Sequence, residues 1–74
     1  MPLKDLEIQQ IKNFGNNVRQ ARLSKKWSME YLANKADIEL SQVYRIETGR
    51  VNPKLTTIIN IANILEVNIS ELIK

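Results

Sequence analysis

The sequence predicts an all-α protein of five helices around one small core, and three observations predict it. Apolar residues recur at intervals of three and four along the chain, the mark of amphipathic helices. That spacing breaks at four places, and most of the breaks carry residues that cap or stop a helix. The chain is 74 residues long with 43% hydrophobic and 26% charged side chains, 2 Gly and 2 Pro, the balance of a folded domain rather than a disordered segment.

Helix 1 is expected from about Glu7, or earlier, to Ser24, because Ile11, Phe14, Val18 and Ala21 share one face. Residues 1–12 read as an N-terminal extension continuous with it, and residues 13–74 as the domain proper. Lys25 to Trp27 breaks the pattern. Ser28 then offers an N-cap oxygen for a short helix over Met29 to Ala36, with Glu30 in the first turn where the dipole favours a carboxylate. Asp37 tolerates the left-handed backbone that stops a helix, and Ile38 follows as an apolar plug. Helix 3 is expected from Leu40 to about Thr48, with Val43 and Ile46 inward and Gly49 as its stop.

After a loop from Arg50 to Pro53, helix 4 runs from Leu55 to about Glu66. Its apolar residues cover an arc of about 220°, against the roughly 100° that one core contact needs, so it carries a surplus apolar edge. Asn68 and Glu71 read as a capping box opening a last helix through Ile73, with Val67 and Leu72 as its staple. Helices 2 and 3 fall below the length at which isolated helices persist, so packing must hold them. Helices 1 and 4, the longest apolar faces, are the expected platform.

Composition excludes much. With no Cys and no His, disulfides, thiolate or imidazole metal sites, and Ser-His or Cys-His catalysis are unavailable. The expectation is a protein that is no enzyme and needs no metal or cofactor. No apolar run approaches the roughly 18 residues of a membrane span, and Asp5 and Glu7 stand where a signal peptide is apolar, so a cytoplasmic protein without a membrane partner is expected. The net charge of +3 is unevenly placed: residues 19–54 hold eight basic side chains against four acidic ones, while the flanks are balanced or slightly acidic. Clustered positive charge permits nucleic-acid binding without proving it.

Two short helices joined by about three residues make a helix-turn-helix unit, whose second helix can enter the DNA major groove. Leu32, Ala36, Ile38, Val43 and Ile46 supply its inner face, and Ala33 is small where the two axes approach. The stretches FGNNVRQAR (14–22), WSMEYLANKADI (27–38), LSQVYRIETG (40–49) and NPKLTTIINIANILEV (52–67) together resemble the Cro and phage-repressor (XRE-type) family of regulators, over about residues 13–72. The resemblance implies a compact five-helix, lambda-repressor-like DNA-binding domain, usually a dimer on a partly symmetric operator, with Leu40 to Thr48 as recognition helix.

It further implies that Leu40, Ser41, Tyr44 and Arg45 face base edges, which helical spacing supports, because these positions share a face opposite Val43 and Ile46. Arg45 is the leading reader, its planar fork matching guanine O6 and N7. Phosphate contacts are expected from the start of helix 2, through Ser28 and the backbone at Met29, and from Arg19, Lys25, Lys26, Gln42, Thr48, Arg50, Asn52 and Lys54, with Lys35 as an ordinary surface charge. Arg22 and Glu47 match a pair that in this family ties helix 1 to the end of helix 3. Trp27 falls at an apolar family position and reads as core rather than as a platform for bases.

The chain departs from the family at Met29, where glutamine is frequent, at Glu39, where serine or threonine often caps the recognition helix, and at Lys54, in place of a serine cap. An acid at position 39 repels phosphate or accepts a bond from a cytosine amine.

The reading that follows is a sequence-specific regulator that occupies double-stranded DNA as a homodimer. Ile59, Ile64, Ile69, Leu72 and Ile73 are interface candidates; the N-terminal segment, through Leu3, Leu6 and Ile8, is the competing cover for the same edge. The alternative is a protein-interaction module, such as an antitoxin, with DNA binding secondary.

Overall fold

The computed structural model describes residues 3–74 and, for Leu3, the backbone alone. Met1, Pro2 and the Leu3 side chain, part of the expected N-terminal extension, lie outside the described residues. The chain folds as α1 (Leu3–Ser24), α2 (Met29–Ala36), α3 (Leu40–Glu47), α4 (Leu55–Leu65) and α5 (Ile69–Ile73), and among the described residues every element is a helix. None of these helices is long and apolar enough to cross a membrane.

Each boundary has a local cause. α1 closes on Lys26 in the left-handed region at φ 61°, with Lys26 N donating to Leu23 O at 2.9 Å and Trp27 N to Arg22 O at 3.2 Å. A side chain in that conformation crowds its own carbonyl at a cost of about 1–2 kcal/mol. Lys26→Gly is therefore expected to raise the unfolding free energy by about 0.5–1 kcal/mol, since glycine removes the crowding but loosens the unfolded chain. Urea unfolding of the two proteins measures it; an unchanged or lower midpoint refutes it.

α2 starts where Ser28 Oγ accepts from Tyr31 N at 3.0 Å, and stops at Asp37, left-handed at φ 57°. Ile38 N then donates to Ala33 O at 3.0 Å, which holds the plug in place. α3 ends at Glu47, and Gly49, φ 71°, turns the chain away after it, with Arg50 N donating to Arg45 O at 2.9 Å. A Cβ on Gly49 would come within 2.8 Å of Lys12 Cγ, so the stop also lets α1 pass close by. α4 ends at Glu66, again left-handed at φ 59°.

The capping box expected for α5 is not formed. Asn68 takes the N-cap backbone conformation, but its side chain makes no cap bond, and Glu71 pairs instead with Lys74 at 3.0 Å. A flexible cation one turn away competes successfully for the carboxylate. What fastens α5 comes from far along the chain: Asn17 Nδ2 donates to Leu72 O at 3.0 Å and Lys74 O at 3.2 Å, satisfying carbonyls that a helix end leaves free. Asn60 Nδ2 does the same for α2, donating to Ala36 O at 2.8 Å.

Phe14, Val18, Leu32, Ala33, Val43, Ile46, Ile61, Ala62, Leu65 and Leu72 form the core, with Trp27, Ile38, Ile58, Ile64 and Val67 packed around it. The platform of α1 on α4 is not what organises it. α1 packs on α3 and α5, α2 packs on α3 and α4, and α1 meets α4 only at a margin. The reason is Gly15, buried midway along α1: without a side chain there, α1 settles directly against the backbone of Ile46 and Glu47 at the end of α3.

Candidate nucleic-acid interface

The turn between α2 and α3 is Asp37, Ile38 and Glu39. Ala33 is only 2% exposed, so the two axes meet over its methyl group. With Val43 and Ile46 buried, the period of the helix turns the opposite side of α3 outward. Leu40, Ser41, Tyr44 and Arg45 are all exposed there. Leu40 and Tyr44 each keep 46% of their surface, a large apolar exposure on one short helix.

Two contacts order this face. Arg45 Nη2 donates to Gln42 Oε1 at 3.2 Å, and the Arg50 guanidinium lies 5.8 Å from the centre of the Tyr44 ring. Gln42 is half-buried, with its amide oxygen on Arg45, so it orients the base-reading candidate as well as being a phosphate candidate. Gln42, Arg45, Asn52 and Lys54 line a cleft of about 410 Å³ between α3 and the start of α4. Thr48 Oγ1 donates back to Tyr44 O at 2.8 Å, which leaves its hydroxyl only accepting capacity toward a phosphate.

The remaining basic candidates divide. Arg19 is exposed on the flank of α1 that carries Gly15 and Arg22, hence beside α3. Lys26 and Lys54 are exposed at the end of α1 and the start of α4. Lys25 is engaged elsewhere, 5.3 Å from the Trp27 ring centre and 3.7 Å from Glu66. Lys35 also lies over Trp27, at 5.8 Å, and over Tyr31, at 5.7 Å. Trp27 is half-buried against the core, edge-on to Tyr31 at 4.9 Å. Met29 is half-buried too and presents its backbone rather than a polar side chain at the start of α2.

Beneath this surface Arg22 and Glu47 are buried in a two-pronged pair, Nε to Oε2 at 2.7 Å and Nη2 to Oε1 at 2.9 Å. The third prong, Nη1, donates to Trp27 O at 2.7 Å. One guanidinium thus joins the end of α1, the residue before the α2 cap and the end of α3. Its hydrogen bonds to Glu47 raise the Arg22 pKa above the ordinary arginine value, outweighing burial, which lowers it. A raised value means the arginine's contribution to stability is complete below the ordinary arginine pKa and is lost only above it. Arg22 therefore imposes no pH dependence near neutrality.

Of the interface candidates, Ile59, Ile69 and Ile73 remain 44%, 37% and 60% exposed, and Ile64 is half-buried. Leu72 must be withdrawn from this edge. It is 1% exposed, because Asn17 draws the end of α5 against α1 and turns Leu72 into the core. Among the described residues the competing cover does not form either: α1 runs unbroken from Leu3, and Leu6 and Ile8 are themselves exposed, while the Leu3 side chain lies outside the described residues. Leu55, 65% exposed at the start of α4, is a further bare apolar residue. Sequence reasoning does not single out Gly15 or Asn17; an isolated glycine inside a helical pattern is a signal that could have found the first.

A short helix locked by a three-residue turn to a second helix with a bare outer face defines a helix-turn-helix domain, the DNA-binding fold of transcriptional regulators. The chain belongs to the Helix-turn-helix family HTH_3, the XRE type, whose sequence model matches residues 18–72. It is 34% identical over 61 residues to the uncharacterized HTH-type transcriptional regulator YqaE of Bacillus subtilis strain 168, covering 82% of this chain and 53% of that protein. The chain thus spans about half the length of that relative. Its fold is similar to the restriction-modification controller protein C.AhdI from Aeromonas hydrophila, with a TM-score of 0.80 and 32% identity over 84% of this chain and 94% of the other. It is also similar to the hypothetical transcription factor NHTF from Neisseria, at 0.83 and 29% over 90% and 78%. An HTH_3 family transcriptional regulator from Vibrio cholerae shares the fold alone, at 0.84 and 23% over 89% and 37%.

Proposed function

We propose that this chain is a sequence-specific regulator that lays α3 in the major groove of double-stranded DNA and acts by occupying its site, without chemistry of its own. The observation that carries the reading is the outer face of α3, where Leu40, Ser41, Tyr44 and Arg45 are all exposed while the opposite side of the helix is core. Arg45 reads guanine, Ser41 bonds a base edge or phosphate, and Leu40 and Tyr44 contact thymine methyls or sugars. Ser28 with the backbone at Met29, together with Arg19, Lys26, Gln42, Arg50, Asn52 and Lys54, hold the phosphates and set the register. Kinship with a protein named as an HTH-type transcriptional regulator, and likeness to one named as a hypothetical transcription factor, support the same reading.

Few base-reading side chains fit on one short helix, and each wrong base pair costs only about 1–3 kcal/mol, so specificity favours two copies on two half-sites. The bare edge of Ile59, Ile69 and Ile73, flanked by Ile64, is the surface for that pairing, which would set the half-sites about one helical turn apart.

Titration of duplex DNA at increasing salt tests the function. Affinity is expected to fall steeply with salt, as phosphate contacts release counterions. Arg45→Ala is expected to weaken binding to the selected site by about 1–3 kcal/mol and to relax the preference for guanine at one position per half-site. Absence of binding at low salt defeats the proposal in favour of a protein-interaction module.

A further inference from the structure

Glu39 puts a carboxylate at the entrance of a helix whose outer face carries Ser41, Tyr44 and Arg45. It is the N-cap residue of α3 in extended conformation, and its backbone carbonyl accepts from Gln42 N at 3.0 Å and Val43 N at 3.2 Å. Its side chain makes no cap bond, unlike Ser28, which bonds Tyr31 N at the start of α2. None of the ion pairs among the described residues includes it. The residue is exposed, and it lines the same cleft as Gln42, Arg45 and Lys54. The helix dipole favours an acid here, which accounts for its tolerance but not for a side chain left out of the cap.

We infer that Glu39 is a specificity-determining residue that accepts a hydrogen bond from the exocyclic amine of a cytosine. The inference rests on the DNA-reading function proposed above. A carboxylate is an acceptor only, and phosphates repel it, so the groove offers it only the amines of cytosine and adenine. Adenine sets the acceptor N7 beside its amine, which repels the second carboxylate oxygen; cytosine has a C–H there. Six residues separate Glu39 from Arg45, about 9 Å along a helix axis, so the two side chains address different base pairs.

The test is selection of bound duplexes from a random pool by the parent protein, Glu39→Gln and Glu39→Ser. The parent is expected to select cytosine at one position per half-site by about tenfold or more over other bases. Glu39→Gln keeps the shape and gains a donor, so the same position is expected to change to adenine while the rest of the site stands, because a carboxamide matches adenine N6 and N7. Glu39→Ser is expected to lose the preference at that position while melting no lower than the parent, since serine caps a helix well. If both variants select the parental base at every position, or both bind all duplexes more tightly by one common factor, the inference is overturned. If the parent itself selects no sequence, the DNA-reading proposal falls first and this inference with it.

Discussion

Glu47→Ala is expected to destabilise the fold by about 3–5 kcal/mol, and Arg22→Ala by a similar amount, because each leaves a buried charge without its partner. A domain of this size has a total stability of about 4–11 kcal/mol, so either variant loses a large part of it. The size of the effect follows from geometry. The pair is forked, short and buried, and the third arginine nitrogen donates to Trp27 O, so each charge depends on its partner rather than on solvent. Removing both charges is a different matter, since well-packed apolar replacements for a buried pair are often neutral or stabilising. Arg22→Met with Glu47→Leu is therefore expected to recover most of what either single variant loses. Urea unfolding of the three variants and the parent decides it: single variants within about 1 kcal/mol of the parent would show that the pair is energetically a surface contact.

Gly15→Ala carries the second large effect, and its sign opposes helix propensity. At an exposed helical position this change gains about 1 kcal/mol. Here the new methyl group would overlap the carbonyl oxygen of Ile46 and stand 3.1 Å from that of Glu47, both backbone atoms that no rotamer change can move aside. The expected cost is about 2–3 kcal/mol or more, because the two helices must separate and strip contact from Phe14, Val18 and Ile46 in the core. Denaturation of the variant measures it, and a protein as stable as its parent would mean that α1 and α3 do not pack this closely. Combined with Glu47→Ala the two losses should fall short of their sum, since both act through the end of α3.

These two positions also show what a single sequence discloses. Ser28, Asp37 and Gly49 mark their boundaries by local chemistry, an oxygen for a free N–H and a backbone that turns left-handed, and the structure places α2 and α3 between them. Lys26 and Glu66 adopt the same left-handed turn with side chains that have no preference for it, so tertiary closure imposes it there without a legible sign. The inward and outward sides of α3 follow from its period alone. What α1 packs against does not: that depends on Gly15 and on Asn17 reaching across to α5, contacts between residues distant in sequence. For the same reason the withdrawal of Leu72 into the core, the engagement of Lys25 with Trp27 and Glu66, and the return of the Thr48 hydroxyl onto Tyr44 had no signal in spacing or composition.

The three-pronged grip of Arg22 has a mechanical corollary. Because one rigid planar group holds Trp27 O on one side and the Glu47 carboxylate on the other, the backbone that precedes α2 and the tail of α3 are jigged to a common frame. On the proposed DNA-reading function, the elements offered to the sugar-phosphate rails and to the base edges would therefore shift in unison. Were the chain to bind as the proposed pair, a site of altered half-site separation would be met at the seam between copies or in the curvature of the duplex, not between α2 and α3.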